Sequence, residues 1–281
     1  MGERPQEGSV KTYSRTSKTT NRINSVCENI NCPRISACFK QGIALFHILG
    51  NYCSRECKIC GARTFQATPV NPDEPLKIAR RVKSLKLQHV ALTSSVRDDL
   101  PDNGSEQLSK TVIAIHEMCP DTVVEVIIHH CIPPNLDHIK TIVASSPDII
   151  AHHIMSIPRL HENLFDGANY DYSMNLLEKV KSLNPGIATK SGMVLGLGEY
   201  DYEVVSVMND LREVGCNCLT LGQYTPRSNN NHHAIPYRRV SSEEFAEYQS
   251  LSMQMGYSSA RCGPFFCSLV DASEMYKEIA E

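Results

Sequence analysis

Short apolar runs alternate with amphipathic stretches along most of the chain, from residue 44 to residue 255. The apolar runs have the length and composition of buried strands, which are predicted at 44–50, 89–93, 123–128, 148–155, 188–195 and 218–224. The amphipathic stretches place apolar residues at helical spacing, and helices are predicted at 74–87, 105–118, 136–144, 172–183, 202–214 and 241–255. The pattern therefore predicts six successive strand–helix units.

Units of this kind, each about 30 residues long, have the size of parallel βαβ modules. Six of them, rather than eight, predict an α/β fold in the form of an open, partial (β/α)6 barrel that resembles an incomplete TIM barrel. Ligands of such barrels bind at the carboxyl ends of the strands. We therefore expect the functional side chains to follow the strands directly.

The composition narrows the class of protein. Hydrophobic residues make up 41% and charged residues 21% of the 281 residues, and the net charge of −3 gives no reason to expect a nucleic-acid partner. No apolar run reaches the roughly 18 residues of a membrane span, and no signal peptide is recognised, so no membrane association is expected. The predicted compartment is the cytoplasm or a reducing organelle interior. Residues 1–24 are polar and predict an extended arm, with a transit peptide as the alternative.

Twelve cysteines in such a chain indicate metal or redox chemistry rather than a disulfide framework. Cys53, Cys57 and Cys60 follow the first predicted strand with the spacing C-x3-C-x2-C. Three soft thiolates can bind three irons of a 4Fe-4S cluster and leave the fourth iron open to a small chelating molecule. A zinc knuckle or buried reduced thiols are the alternative, but three cysteines without a nearby fourth ligand make a poor closed zinc site. The spacing resembles that of the radical S-adenosylmethionine (SAM) enzymes, whose open iron binds SAM.

A second cysteine triplet precedes the first. Cys27, Cys32 and Cys38 have the spacing C-x4-C-x5-C, for which a zinc site or free thiols remain alternatives when the triplet is taken alone. The two triplets together resemble the lipoyl synthase family, and the resemblance covers residues 26 to 272. It implies SAM and two 4Fe-4S clusters as cofactors. It also implies that the auxiliary cluster, bound by Cys27, Cys32 and Cys38, is consumed as the donor of two sulfurs to an octanoyl chain, which is carried on a lysine of a small carrier domain.

Further motifs at the predicted strand ends agree with this resemblance. Residues 192–199 follow the G-x-x-x-G-x-x-E pattern that helps to seat the adenosine of SAM, although glycines after a strand are often only a tight turn. The polar pair 93–94 lies where the family binds the methionine moiety of SAM, with turn chemistry as the alternative. The cofactor-binding residues implied by the resemblance are Thr93, Ser94, Lys190, Gly192, Gly196, Glu199 and Gln223.

The C-terminal end departs from the family. The family's Gly-Pro-x-x-Arg-Ser-Ser-Tyr-His-Ala is replaced at 263–272 by Gly-Pro-Phe-Phe-Cys-Ser-Leu-Val-Asp-Ala. Ser268 keeps the position of the serine that is the family's fourth ligand to the auxiliary cluster. It is also predicted to be catalytic, because its hard alkoxide should release iron easily. Cys267 replaces the arginine, and since neighbours in an extended segment point in opposite directions, only Ser268 is expected to reach the cluster.

Departures at His152, His153 and the C-terminal segment motivate an alternative substrate, a small molecule of natural-product biosynthesis. A non-catalytic metal-binding protein, with zinc in both triplets, is the alternative of another class. The expected partners are an octanoylated carrier protein or a small-molecule substrate, an electron donor such as flavodoxin or ferredoxin, and an iron–sulfur assembly or carrier protein. The predicted divisions are a polar arm (1–25), an auxiliary-cluster segment (26–43), a radical SAM partial barrel (44–260) and a closing C-terminal segment (261–281).

Overall fold

A computed structural model describes residues 25–29, 32, 34–50, 52–60, 63–64, 67–130, 136–167, 169–226, 234–265, 267, 269 and 271–280. The strands within these residues are β1 (Ile43–Ile48), β2 (Tyr52–Cys53), β3 (Arg63–Thr64), β4 (His89–Ser94), β5 (Val123–Ile127), β6 (Ile149–Ala151), β7 (Ala188–Leu195), β8 (Cys218–Gln223) and β9 (Ser259–Gly263). The helices are α1 (Val26–Asn29), α2 (Ile35–Lys40), α3 (Glu74–Leu85), α4 (Ser105–Met118), α5 (Asp137–Ala144), α6 (Pro158–Leu164), α7 (Tyr170–Leu183), α8 (Asp201–Glu213), α9 (Ser242–Gln254) and α10 (Ala272–Ala280).

Seven strands form one parallel sheet in the order β1-β4-β5-β6-β7-β8-β9. Within this sheet, each strand thus lies beside the member that follows it in the sequence, as in a (β/α) barrel. In a doubly wound sheet the strand order would reverse. A separate parallel pair is formed by β2 and β3. The predicted α/β partial barrel is confirmed, and all six predicted strand–helix units are present.

Alternate residues of the strands face the two sides of the sheet. On β4, Val90 and Leu92 belong to the main core, together with apolar residues of α3 and α4, whereas Ala91 faces the interior of the barrel. Both faces are therefore buried, which explains why most of the strands read as near-continuous apolar runs in the sequence. In the part of the chain that the structure describes, no helix is both long and apolar enough to cross a membrane.

The sequence pattern does not predict β9, the seventh strand, which crosses the expected boundary at residue 260. The strand contains Ser259 and Arg261, whose side chains bind Glu278 of α10; the Arg261 Nη2 to Glu278 Oε1 distance is 2.9 Å. Because Ser259 and Arg261 find their hydrogen-bond partner on α10, they can lie in a strand without an apolar pattern. The strand is therefore not predicted from the sequence.

The fourth strand is shorter than predicted. Regular pairing with β5 ends at Ala151, but the chain continues beside β7 through two hydrogen bonds, from His152 N to Lys190 O and from Met155 N to Gly192 O, each 2.9 Å long. The chain then enters α6, a short helix that begins at a proline and was not expected from the sequence pattern. The segment after β6 therefore lines the open end of the barrel.

Candidate active site

The loop 53–60 lies across the carboxyl ends of the strands. Ser54 N donates to Val96 O, just after β4, at 3.4 Å, and Lys58 N donates to Leu164 O, at the end of α6, at 2.9 Å. Lys58 O accepts from Ala234 N, beyond β8, at 2.8 Å. These bonds to three separate connections fix the cysteine loop at the end of the barrel where ligands bind.

Ion pairs reinforce the position of this loop. Arg55, buried with 5% of its side chain exposed, makes a bidentate pair with Asp98, with distances of 2.7 and 3.0 Å. Arg97 is also buried; it pairs with Asp99 and donates to Leu49 O at 2.9 Å. By composition alone, residues 97–102 would be only a solvated loop. In the structure, Arg97 binds the end of β1 and Asp98 binds the cysteine loop, so this segment links both of them to the end of β4.

The thiols of Cys53, Cys57 and Cys60, hereafter called the SAM-cluster triplet after the role that the resemblance gives them, lie close enough to influence one another. Burial raises the pKa of Cys57, the backbone N–H of Asp166 opposes this, and the charges of Cys60 and Cys53 add to the increase. Among the described residues, no three His, Cys, Asp or Glu side chains converge as they would around a single metal ion. A 4Fe-4S cluster instead takes one thiolate at each iron. The donors and their position fit a cluster with three protein ligands.

The second group of thiols, the auxiliary triplet, lies beside β1. Cys27 is on α1, Cys38 is on α2, and Cys32 lies between them, with its backbone N donating to Cys27 O at 2.9 Å. An antiparallel bridge between Ser25 and Phe46 attaches this segment to the edge of the sheet. The short helices α1 and α2, together with this bridge, hold the segment that carries the three cysteines beside β1.

Cys267 joins this group. Burial raises the pKa of Cys27 to about 12, and the charges of Cys267, Cys32 and Cys38 contribute to the increase. The pKa of Cys38 is raised by burial and then by Cys267 and Cys32. Four thiols that lie near one another offer soft sulfur donors suited to a second iron–sulfur cluster. Alternation along an extended segment predicts that Cys267 points away from the cluster, whereas in the structure it packs against a buried group that contains Cys38. Ser268, the predicted fourth ligand, lies outside the described residues.

Thr93 and Ser94 end β4 at the open end of the barrel, next to the cysteine loop. Thr93 Oγ1 lies 3.1 Å from His129 Nε2, and Ser95 Oγ lies 3.2 Å from His47 Nε2. This row of hydroxyl and imidazole groups can hydrogen-bond to the amino and carboxylate groups of a bound amino acid.

The glycine-rich turn after β7 is built by Glu199. Its carboxylate accepts from Gly196 N at 2.5 Å and from Leu197 N at 2.8 Å, so the third member of the G-x-x-x-G-x-x-E pattern caps the turn made by the second. The carbonyl of Gly196 accepts from Tyr237 N at 2.8 Å. Gly192, the first member, is buried in β7. The motif thus shapes the carboxyl end of β7, where the resemblance predicts that the adenosine of SAM binds.

Gln223 closes the same turn from β8. Its Nε2 donates to Leu195 O at 3.1 Å and to Arg238 O at 3.2 Å, while its Oε1 accepts from Val240 N at 2.8 Å. The amide side chain therefore ties the ends of β7 and β8 to the segment after residue 234. This is a positioning role for a residue predicted to contact SAM.

Gly196→Ala is expected to destabilise the protein by about 2 kcal/mol or more, because φ at Gly196 is +94° and a Cβ would meet Gln223 Nε2 at 2.3 Å and Arg238 O at 2.5 Å. Anaerobic chemical denaturation would measure the loss. Gly263→Ala is the control, since a Cβ there meets nothing within 4 Å. Equal stability of the two variants would contradict the packing described for this turn.

Lys190 lies inside the barrel, near the beginning of β7. Its Nζ is 3.3 Å from Glu125 Oε2, which is also 3.3 Å from His89 Nε2, and no more than 1% of any of these side chains is exposed. The structure therefore groups Lys190 with His89 of β4 and Glu125 of β5. It does not bring Lys190 together with the polar row at Thr93 or the turn at Gly196.

Lys190→Met is expected to lower the free energy of unfolding by about 3 kcal/mol, because removing one member of a buried ion pair leaves the other charge poorly compensated. Lys110→Met, which removes an exposed pair with Glu106, should cost less than about 1 kcal/mol. Denaturation and SAM binding would be measured for both variants. Unchanged stability with lost SAM binding would instead support the role predicted from the sequence.

Four histidines, His129 and His130 after β5 and His152 and His153 after β6, lie at strand ends, and of these only His129 is exposed. His130 and His152 both bind Ser173 Oγ of α7, at 2.8 and 3.0 Å, in a buried layer between sheet and helix. The ion pair of Arg55 with Asp98 was not predicted from the sequence. The sequence does contain a signal for this pair. An arginine lies inside the cysteine loop, an acidic pair follows a predicted strand, and both segments are expected at the same end of the barrel.

A parallel partial barrel with a three-cysteine loop at its open end defines a radical SAM protein, and the Radical SAM superfamily model matches residues 47–211. The chain is 38% identical over 242 residues to the lipoyl synthase of Caldanaerobacter subterraneus subsp. tengcongensis, covering 86% of this chain and 84% of that protein. It is also 38% identical over 255 residues to the lipoyl synthase of Polaromonas naphthalenivorans, covering 90% and 76% of the two chains. The chain belongs to the lipoyl synthase family.

Solved structures support the fold. Methylornithine synthase (PylB) superposes with a TM-score of 0.62 at 13% identity, covering 87% of this chain and 74% of that one. Streptococcus suis SuiB bound to S-adenosylmethionine gives 0.61 at 14% identity and 84% coverage, although this chain spans only 54% of SuiB. SAM and 4Fe-4S clusters are the cofactors of the family, and the two thiol triplets have suitable donors for two clusters. Family membership decides against the zinc-protein alternative.

Proposed function

We propose that this chain inserts sulfur into the octanoyl chain of an octanoylated carrier protein, as a lipoyl synthase. The observation that carries the proposal is the presence of two separate thiol triplets on one barrel. One lies on a loop across the carboxyl ends of the strands, and the other lies beside β1. Radical formation and sulfur donation each require a cluster, and the chain supplies separate thiolates for each.

Cys53, Cys57 and Cys60 would hold the cluster that binds SAM. When bound, that cluster supplies the electron that splits SAM, which yields a radical able to remove hydrogen from an unactivated carbon. The pair of Arg55 with Asp98 holds the loop at the rim. Thr93 and Ser94 are proposed to orient the methionine end of SAM through their hydroxyl groups.

Cys27, Cys32 and Cys38 would hold the auxiliary cluster, whose sulfides are transferred. Cys27 and Cys38 are buried, so the thiols are kept from solvent until the metal takes the place of their protons. The segment 261–281 is proposed to close over this site. Gly192, Gly196, Glu199 and the side chains that brace them are proposed to shape the adenosine side of the SAM site.

The chemistry requires partners that supply electrons and clusters. An electron donor such as flavodoxin or ferredoxin is proposed, together with an iron–sulfur assembly or carrier protein that rebuilds the auxiliary cluster. Free thiols in both triplets also require a reducing compartment, and the cytoplasm is the proposed one.

The test is incubation of the reconstituted protein with SAM, a strong reductant and an octanoyl-lysine peptide or octanoylated carrier. Mass spectrometry should find singly and doubly thiolated octanoyl groups, formed at a rate comparable to SAM cleavage. A second candidate, sulfur insertion into a different small molecule, is favoured by Cys267 in place of the family's arginine and by His152 and His153. SAM cleavage without any thiolated octanoyl product would support that candidate.

A further inference from the structure

The C-terminal segment brings a further thiol to the auxiliary triplet. Cys267 packs against a group of buried residues on the inner side of β1, β4, β5 and β6, which we call the inner apolar group. Its members are Cys38, Ile43, Ala91, Ile127, Ala151, Leu269 and Ala272. Cys267 and Cys38 are therefore packed on the same patch inside the barrel, although more than 200 residues separate them in the sequence.

The electrostatic interaction of Cys267 with Cys27 and Cys38 agrees with this packing. Among the charges that act on Cys27 and on Cys38, that of Cys267 has the largest effect, ahead of the triplet's own Cys32. The influence also runs in the other direction, since Cys32 is the first charge that acts on Cys267. The shared packing on the inner apolar group therefore places the Cys267 thiol beside the auxiliary triplet.

The position of Cys267 is well supported by its surroundings. The backbone N–H of Leu269 donates to the Cys267 thiol, and Leu269 and Ala272 are each only 1% exposed. The helix α10 that follows is anchored by Arg261 to Glu278 and by Tyr276 Oη to Asp148 Oδ1 at 3.1 Å. A thiol held in this way is presented to the triplet without a large loss of conformational entropy on binding metal.

We propose that Cys267 is the fourth protein ligand of the auxiliary cluster in this chain. The inference rests on the proposed function, which supplies the auxiliary cluster. Four thiolates match the four irons of a 4Fe-4S cluster, and each thiol would release its proton on binding. Cys267 would then take the role that sequence resemblance gives to Ser268. Because a thiolate is a softer ligand than an alkoxide, iron at this corner would be held more firmly.

The experiment uses the full chain with Cys53, Cys57 and Cys60 replaced by alanine, so that only the auxiliary cluster can form. After anaerobic reconstitution, this parent should contain about four irons and four sulfides per chain. Adding Cys267→Ala should reduce that content and should speed iron loss to a chelator by about tenfold or more. Adding Cys267→Ser should preserve the cluster but leave iron loss faster than in the parent, because an alkoxide replaces the thiolate.

Matched variants of the same parent make the result specific. Cys119→Ala removes a half-buried thiol in the turn before β5 and should retain parental iron and sulfide, and Ser268→Ala should do the same. A cluster that is intact in Cys267→Ala but lost in Ser268→Ala would overturn the inference and leave the proposed function standing. A parent that binds no cluster at all would overturn the auxiliary site itself, and the inference with it.

Discussion

Cys57→Ala is expected to abolish formation of 5′-deoxyadenosine from SAM. Cys57 is the middle member of the SAM-cluster triplet, on a loop fixed to the connections after β4, β6 and β8. Loss of its thiolate would leave two protein ligands for a cluster that already has one open iron. The measurement is anaerobic incubation with SAM and dithionite, followed by quantification of 5′-deoxyadenosine by mass spectrometry.

Cys119→Ala is a suitable control for this prediction, because it removes a thiol that lies in neither triplet. Its 5′-deoxyadenosine formation should match that of the unmodified chain. If Cys57→Ala cleaved SAM at the unmodified rate with a full cluster content, the loop 53–60 would not be the SAM-cleaving site, and the assignment of the two triplets would have to be reversed or abandoned.

Cys32→Ala should produce the second large effect, with no sulfur in any product but continued cleavage of SAM. Cys32 lies between α1 and α2 in the auxiliary triplet, and no hydrogen bond in the described structure links it to loop 53–60. Its replacement should therefore remove the sulfur donor and spare the radical half of the reaction. The ratio of thiolated octanoyl peptide to 5′-deoxyadenosine, measured in one reaction, should fall to zero.

An unmodified chain assayed in parallel gives the reference ratio, and iron analysis of Cys32→Ala should show loss of about half of the iron. Thiolated peptide formed by Cys32→Ala at an undiminished ratio would mean that sulfur comes from another source. Complete loss of SAM cleavage would mean that the two triplets do not act separately.

The alternation of apolar runs and amphipathic stretches was sufficient to predict the barrel, because burial of both sheet faces leaves a strong pattern in the sequence. The same reasoning fails for β9, where Ser259 and Arg261 are polar but satisfied by Glu278. A strand of this kind is stabilised by a contact that lies 17 residues away and has no local signal.

The candidate site was likewise only partly predictable from the sequence. Both thiol triplets could be predicted, since ligand chemistry fixes the residue type and a short loop fixes the spacing. The contacts of Lys190 and Gln223 could not, because Glu125 is 65 residues from Lys190 in the sequence and Val240, which donates to Gln223, lies 17 residues beyond it. The packing of Cys267 against the inner apolar group also has no local signal, because Ile43, Ala91 and Cys38 lie far from it in the sequence.

Isotopic labelling of the auxiliary cluster tests the central claim most directly. The chain would be reconstituted with iron and 34S-sulfide, freed of excess sulfide, and incubated with SAM, reductant and octanoyl-lysine peptide in the presence of unlabelled sulfide. The account predicts that the sulfurs in the first turnover product are 34S, and that Cys32→Ala gives no such product. A product containing only unlabelled sulfur, or 34S product formed equally well by Cys32→Ala, would contradict it.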